Sequence, residues 1–354
     1  MNKEQLITQA IQLLKDLIEI PSFSTEEDKT ASRIEQWFTL HEIPYTRTNN
    51  NIWAVNKYYD KSKPTLLLNS HHDTVKPNNG YTKDPFKSIV EDGKLYGLGS
   101  NDAGGCLVSL IATFTYFYAK KKMAYNLVIV ASAEEESSGQ LGLNSMLDII
   151  PEIDVAIVGE PTLMQLAVAE KGLVVFDAKV KGTPGHAAHP NTDHAIYKTI
   201  DVLKWFKDYT FEKRSPVLGE VKMTVTQINA GKQHNAIPAE VDLVIDVRVN
   251  DKYTNAEIEK ILKERSPCST IKARSLRLNS SSIPIDHPLV EAGIELGRST
   301  YGSPTLSDQA VLRCPSLKLG PGDSTRSHTA DEFIYLSEIE EGIDLYIKLI
   351  EKII

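Results

Sequence analysis

Five short stretches of the chain place imidazole and carboxylate side chains directly after apolar runs or glycine-rich turns. TLLLN (65–69) runs into Ser70-His71-His72-Asp73, LVIV (127–130) into ASAEEESS with Glu134, Glu135 and Glu136, and DVAIV (154–158) into Gly159-Glu160-Pro161. LYGLGSNDAGG delivers Asp102 from a glycine-rich loop before a helix, and GPGDSTRSHTADE delivers His328 from a loop before the last helix. Singly, each has an ordinary explanation. His71 or His72 suits a satisfied buried histidine, Asp102 an N-cap, Glu160 a turn, and the three glutamates a solvated loop or an acidic first helical turn. Together they are harder to explain that way, because in an open α/β sheet ligands sit outside the carboxyl ends of the strands. Imidazoles and carboxylates without thiolates suit zinc or a similar divalent ion better than calcium, which prefers all-oxygen shells. So many carboxylates at a buried edge repel one another unless cations lie among them. One divalent ion neutralises two carboxylates, and this set is sized for two ions.

The elements that must hold these groups are legible as apolar patterns. Leu6, Ile7, Ile11, Leu14, Leu17 and Ile18 recur at helical spacing until Pro21. Ser24 with Glu27 has the form of a capping box for a second helix through Ile34, Trp37 and Phe38. Continuous apolar strands then alternate with segments long enough for helices, such as 106–118, which predicts a mostly parallel mixed sheet covered on both faces. From about Gly172 the texture changes: 174–180, 221–228 and 241–249 alternate like half-buried strands, with helical patterns at 195–206 and 256–263. That predicts an α+β insert with an antiparallel sheet open on one face. RLNSSSIPIDHP (277–288) reads as the return linker, and 338–354 as a terminal helix. A chain of 354 residues exceeds what one core normally serves. The expected organisation is residues 1–172 and 283–354 as one domain and 173–282 as the insert.

Composition excludes several classes. A net charge of −8 and the lack of a basic stripe argue against a nucleic-acid partner. No apolar run approaches the roughly 20 residues needed to span a bilayer, and the N-terminus interleaves charges through its apolar positions, unlike a signal peptide. Three cysteines, Cys106, Cys268 and Cys314, show no metal-type pairing and argue for a reducing compartment. The expectation is a cytoplasmic protein with neither a membrane nor a nucleic-acid partner.

HHDTV, GLGSND, EEE, VGEP and SHTADE, with GTPGHAAHP and HNAIPAE in the insert, occur in the order and at the intervals of one known family. From end to end the chain resembles the acetylornithine deacetylase, succinyl-diaminopimelate desuccinylase, aminoacylase and zinc carboxypeptidase family of dinuclear zinc metallopeptidases. The resemblance implies a zinc-exopeptidase-like fold with an inserted dimerisation or lid domain, and two divalent ions, zinc or alternatively cobalt. It implies that His71 and Glu160 bind one metal, that Glu136 and His328 bind the other, and that Asp102 bridges them. Asp73 orients His71 in this picture, Glu135 is the general base acting on water held between the metals, and Glu134 has no chemical step. His186 matches the histidine that in dimeric relatives reaches the partner's site and stabilises the oxyanion. Asn235 and Arg248 stand where relatives bind the substrate carboxylate. Relatives also carry a non-proline cis peptide after the bridging aspartate, here Asp102–Ala103.

The sequence departs from that pattern in two places. Glu134 replaces a common aspartate, and Ala103-Gly104-Gly105 replaces a Met-Lys-Gly type continuation. His72 could be taken for the ligand, but strand alternation puts His71 and Asp73 on one face and His72 on the other. For Glu135 and Glu136, alternation continued past the strand would likewise separate base from ligand. The implied reaction is metal-assisted hydrolysis of an N-acyl amino acid. LGPGDSTRSHTADEFI looks closest to the acetylornithine deacetylase branch, so N-acetylornithine is the expected substrate, within arginine biosynthesis. N-acetylcitrulline or an N-succinyl amino acid is the alternative, with Arg326 a candidate partner for an acidic acyl group; a dipeptidase is a further one. An inert binding protein of the same fold is the rival from another class. A homodimer through the insert is implied as well.

Overall fold

A computed structural model describes residues 2–354. The chain divides into two compact units, one running to Val168 and including Ser282–Tyr301 and Ser307–Ile354, the other comprising Ala169–Ser281 and Gly302–Leu306.

In the first unit six neighbouring strands of a nine-stranded mixed sheet run Thr46–Thr48, Asn51–Val55, Asn126–Ser132, Thr65–His71, Val155–Val158, Ser316–Lys318. The first two junctions are antiparallel, and the next three, which carry the candidate ligands, are parallel. Leu66, Leu68, Leu127, Ile129, Val155 and Ile157 point into the larger core, with residues of helices Lys3–Ile18, Asp28–Leu40, Gly105–Phe117, Pro288–Glu295 and Leu336–Glu351. Leu67, Val128, Val130 and Ala156 point the other way, against Leu143, Met146 and Ile150. Both faces of these strands are therefore buried, which is why they read as unbroken apolar runs. Each such leucine contributes about 1.5–3 kcal/mol by leaving water. The helices gather over one face; the short helical turn Leu143–Met146 and its neighbours close the other.

The expected capping box at Ser24 does not form. Helix Asp28–Leu40 starts after Glu27 with no side-chain cap. The Ser24 hydroxyl instead donates to Asp73 at 2.7 Å, and the Glu27 carboxylate accepts from the N–H groups of Thr25 and Glu134 and from Asn50. Other partners win both side chains: the Asp73 carboxylate takes the Ser24 hydroxyl, and loop N–H groups take the Glu27 carboxylate.

The second unit is a four-stranded antiparallel sheet, ordered Lys222–Ala230, Glu240–Val249, Gly172–Lys181, Thr270–Ala273. Val174, Phe176, Leu243, Ile245 and Val247 meet Val202 and Phe206 of helix Ala195–Asp208 and Ile258 and Leu262 of helix Asn255–Arg265. Intervening strand residues are more exposed, as the alternation predicts. Among the described residues no helix is long and apolar enough to cross a membrane, and all three cysteines are free.

Candidate metal centre

His71 is the last residue of its strand and is almost completely buried. Its Nδ1–H donates to the Asp73 carbonyl oxygen at 2.9 Å, which leaves the Nε2 lone pair facing inward. That Nε2 is buried without a hydrogen-bond partner. Around it stand Asp102 Oδ1 at 3.4 Å, Glu160 Oε1 at 3.8 Å and Glu135 Oε2 at 3.9 Å. The other oxygen of Asp102, Oδ2, faces His328 Nε2 at 3.6 Å, and Glu136 Oε2 lies 3.0 Å from that same nitrogen. Asp102 therefore directs one oxygen to each histidine. Ligand atoms of His71, Asp102 and Glu136 lie within 4.8 Å of one another, as do those of His71, Glu135 and Glu160.

An orphaned imidazole nitrogen among carboxylates fits divalent cations, and the electrostatics carry the same imprint of uncompensated negative charge. Burial and the charge of Asp102 push Glu160 up to about 8. Burial, then Glu160, Asp308 and Glu136, raise Glu135 well above the carboxylate range, with His71 opposing. Burial opposes the charged form of His71, yet Asp102, Asp73 and Glu135 outweigh it and raise its pKa. The hydrogen bond to Glu136 is the main reason His328 rises to about 9. Cations among these groups would relieve the repulsion and return each to its ligating form.

Asp73 holds three pieces of the site at once. Its carboxylate accepts the N–H groups of Glu135 and Glu136 at 3.0 and 3.1 Å as well as the Ser24 hydroxyl, while its carbonyl orients His71. The three glutamates are not a continuation of the strand, which ends at Ser132. Glu134 turns the chain with φ +57°. Its N–H donates to Glu27, and its carboxylate accepts the Leu141 N–H at 3.1 Å. Glu134 is thus the brace of the loop, and this turn, rather than strand alternation, separates Glu135 from Glu136. His72 points away into a pocket of its own, with Nδ1 2.9 Å from the Thr30 hydroxyl and Nε2 2.9 Å from the Asn50 carbonyl.

The Asp102–Ala103 peptide bond is cis, as the resemblance implied. Gly104 sits in a crowded position. A Cβ there would stand 2.4 Å from the Gly99 carbonyl oxygen and 2.6 Å from Leu14 Cδ1. Arg326 is not open to an acyl group, since its guanidinium makes a fork to Glu338 at 2.7 and 2.9 Å and lies over Phe333 and Tyr335.

In the second unit, His186 is exposed and its Nδ1 accepts the Ala188 N–H at 3.1 Å, which leaves Nε2–H free as a donor. Asn235 is exposed, with its carbonyl taken by the Ala187 N–H. Arg248 reaches both carboxylate oxygens of Asp246, at 2.9 and 3.2 Å.

Two further carboxylates, the half-buried Asp308 and the buried Glu332, escaped the sequence reading. Asp308 accepts the Ser132 hydroxyl at 2.6 Å, and burial pushes its carboxyl up to about 6. Glu332 accepts three loop N–H groups. Neither follows an apolar strand; the only available signal for Glu332 was its place in SHTADE.

The family model described as "Peptidase family M20/M25/M40" matches residues 67–352. The chain is 29% identical over 377 residues to the acetylornithine deacetylase of Proteus mirabilis, covering 96% of each. It is 26% identical over 375 residues to the succinyl-diaminopimelate desuccinylase of Wolbachia pipientis from Culex pipiens, covering 96% of this chain and 92% of the relative. Its fold matches that of the Bacillus subtilis YXEP protein, a dinuclear metal-binding peptidase of the M20 family, with a TM-score of 0.75 at 16% identity, covering 98% of both chains.

Proposed function

Because the chain belongs to peptidase family M20/M25/M40, we propose that this hydrolase uses a pair of divalent metal ions to remove the acyl group from an N-acyl amino acid. N-acetylornithine, giving ornithine and acetate in a cytoplasmic arginine pathway, is the first substrate. The observation that carries the reading is the two-sided Asp102 carboxylate, with His71 and Glu160 on one side and Glu136 and His328 on the other.

His71 and Glu160 would hold one ion, Glu136 and His328 the other, with Asp102 shared. Bound there, zinc, or cobalt in its place, supplies Lewis-acid polarisation of the scissile carbonyl and lowers the pKa of attacking water. Asp73 keeps His71 in the tautomer with its lone pair inward and fixes the main chain of Glu135 and Glu136. Glu135 takes the proton of the attacking water and gives it to the leaving amine nitrogen, base and then acid. Its raised pKa in the metal-free protein marks a carboxylate that accepts a proton readily. In a dimer His186, whose Nε2–H is free, would offer that donor to the oxyanion in the partner's site, a donor of the kind whose loss costs about 10²–10³ in turnover. Asn235 and the Nη1 side of Arg248 would take the substrate carboxylate.

The pairing of Arg326 with Glu338 supports acetyl over succinyl, because it occupies the guanidinium that the sequence offered to an acidic acyl group. A homodimer through the second unit is supported by its edge strand Lys222–Ala230, and by exposed Ile196, Tyr197, Ile200 and Ile228.

The test is a panel of N-acetyl, N-succinyl and dipeptide substrates on metal-loaded protein, with Glu135→Gln beside it. Turnover of N-acetylornithine, abolished in Glu135→Gln with metal content intact, is expected. Preference for free dipeptides would overturn the deacylase reading, and no turnover on any substrate would favour an inert binding protein. Light scattering showing an active monomer would remove the dimer.

A further inference from the structure

Glu332 is a buried carboxylate to which the proposed chemistry assigns no task. It is 2% exposed, in a segment with no regular structure until the strand Phe333–Tyr335 begins. Its Oε1 accepts the N–H groups of Asn101 at 2.8 Å and Asp102 at 2.9 Å, and its Oε2 accepts that of Gly99 at 3.1 Å. Its main-chain carbonyl accepts the Gly97 N–H at 3.0 Å. The whole turn that delivers Asp102 thus converges on one residue. Within that turn Asp102 and Ala103 leave helical geometry, with φ/ψ of −116°/98° and −118°/30°. The Asp102 N–H therefore lies outside a regular ladder, and the Glu332 carboxylate meets it.

An amide has a single acceptor oxygen, whereas these donors engage both oxygens of Glu332. A carboxylate beside Asp102 adds like-charge repulsion to a site already crowded with acids, a cost that makes sense where cations offset it. Glu332 also lies four residues after His328. Asp331 pins this segment, accepting the N–H groups of Thr82 and Lys83 at 2.8 and 2.9 Å. Asn78 Nδ2 donates to the His328 carbonyl at 3.2 Å. One anchored segment therefore carries His328 at one end and grips the Asp102 turn at the other.

We propose that Glu332 is a positioning residue for the metal pair, holding the Gly99–Asp102 turn in register with His328 so that the Asp102 carboxylate spans the two histidines. This rests on the reading of Asp102 as the shared ligand. Its consequence is that removing the carboxylate weakens metal binding although Glu332 touches no metal. Residues that orient ligands in this way typically carry about ten- to a hundredfold in metal affinity.

The experiment compares Glu332→Gln with the unaltered full-length protein. Zinc affinity is measured by chelator competition, the absorption spectrum after cobalt(II) loading reports ligand geometry, and circular dichroism reports the fold. Glutamine keeps the size but turns an NH₂ towards at least one of the three N–H groups. A folded variant is expected to bind zinc about ten- to a hundredfold more weakly and to show a shifted cobalt spectrum. Unchanged affinity and spectrum, even with a lower melting temperature, would overturn the proposal and leave Glu332 a structural anchor. If Glu332→Gln does not fold, amide exchange of the unaltered protein decides. Zinc should slow exchange at Asn101 and Asp102, and no change at those amides would overturn the proposal. Asp102→Asn separates the two levels of inference. Zinc binding unaffected by Asp102→Asn removes the metal-centre reading itself; binding lost in Asp102→Asn and intact in Glu332→Gln removes only the role of Glu332.

Discussion

Replacing Asp73 by asparagine should weaken metal binding far more than it weakens the fold. Oδ1 of Asp73 serves the Glu135 N–H, while Oδ2 serves both the Glu136 N–H and the Ser24 hydroxyl. An asparagine retains one oxygen, so whichever way the amide turns, one main-chain N–H faces an NH₂ in a site closed to water. The Ser24 hydroxyl can rotate and accept instead; a main-chain N–H cannot. A lost bond to a charged acceptor is worth about 1.5–3 kcal/mol. At about 1.4 kcal/mol per factor of ten, that corresponds to roughly ten- to a hundredfold in zinc affinity if the loop bearing Glu135 and Glu136 takes the strain. The Asp73 carbonyl still receives His71 Nδ1–H in the variant, so the His71 tautomer is preserved and the loss reports on the glutamate loop. Chelator competition on metal-stripped protein measures the affinity, and denaturant unfolding of the same sample measures stability. Ser24→Ala, which removes one bond and orphans no N–H, serves as the smaller control. Zinc affinity in Asp73→Asn equal to that of the unaltered protein would refute the reasoning, as would a loss confined to unfolding stability.

His72→Ala should leave zinc stoichiometry intact and cost about 2–4 kcal/mol in denaturant unfolding, because a buried ring and two hydrogen bonds are lost; loss of a metal ion would mean that His71 and His72 have been exchanged in this account. For the metal-free protein, Asp308 makes stability depend on pH with a definite sign. Its carboxyl is raised to about 6 by burial, so the folded state holds the proton between the ordinary aspartate range near 4 and about 6. Stability therefore falls as pH rises through that window, by roughly 2–3 kcal/mol in total. Asp308→Asn should flatten the slope between pH 4 and 6, seen as a smaller shift in urea midpoint, and an unaltered slope would exclude Asp308 as its source.

The parts of the fold that were legible in the sequence are those set by local periodicity. Leu66–Leu68 and Leu127–Val130 form unbroken apolar runs because both faces of their strands are covered. The alternating pattern in Gly172–Lys181 and Glu240–Val249 survives as one buried and one more exposed face. His71, Glu160 and the glutamate triplet stood out as candidate ligands because they follow parallel strands, and a strand is visible in sequence. Ser24 and Glu27 were misread for the complementary reason. Their spacing fits a local capping box, yet their partners, Asp73 and the Glu134 N–H, lie 49 and 107 residues away. A local rule cannot weigh a distant competitor.

By itself the sequence determined the inventory: which imidazoles and carboxylates are present, which strands and loops deliver them, and that so much negative charge calls for cations. Tertiary structure decided how they are shared. Only the folded chain shows Asp102 turning one oxygen to each histidine, Asp73 joining His71 to two glutamates 62 and 63 residues on, and Glu332 gripping a turn 230 to 233 residues before it. Arg326, open in the sequence, is closed by Glu338. The physical reason is that a hydrogen bond or ion pair depends on distance and direction in space. Residue type supplies the donors and acceptors; folding chooses among them by which can meet in a site without water.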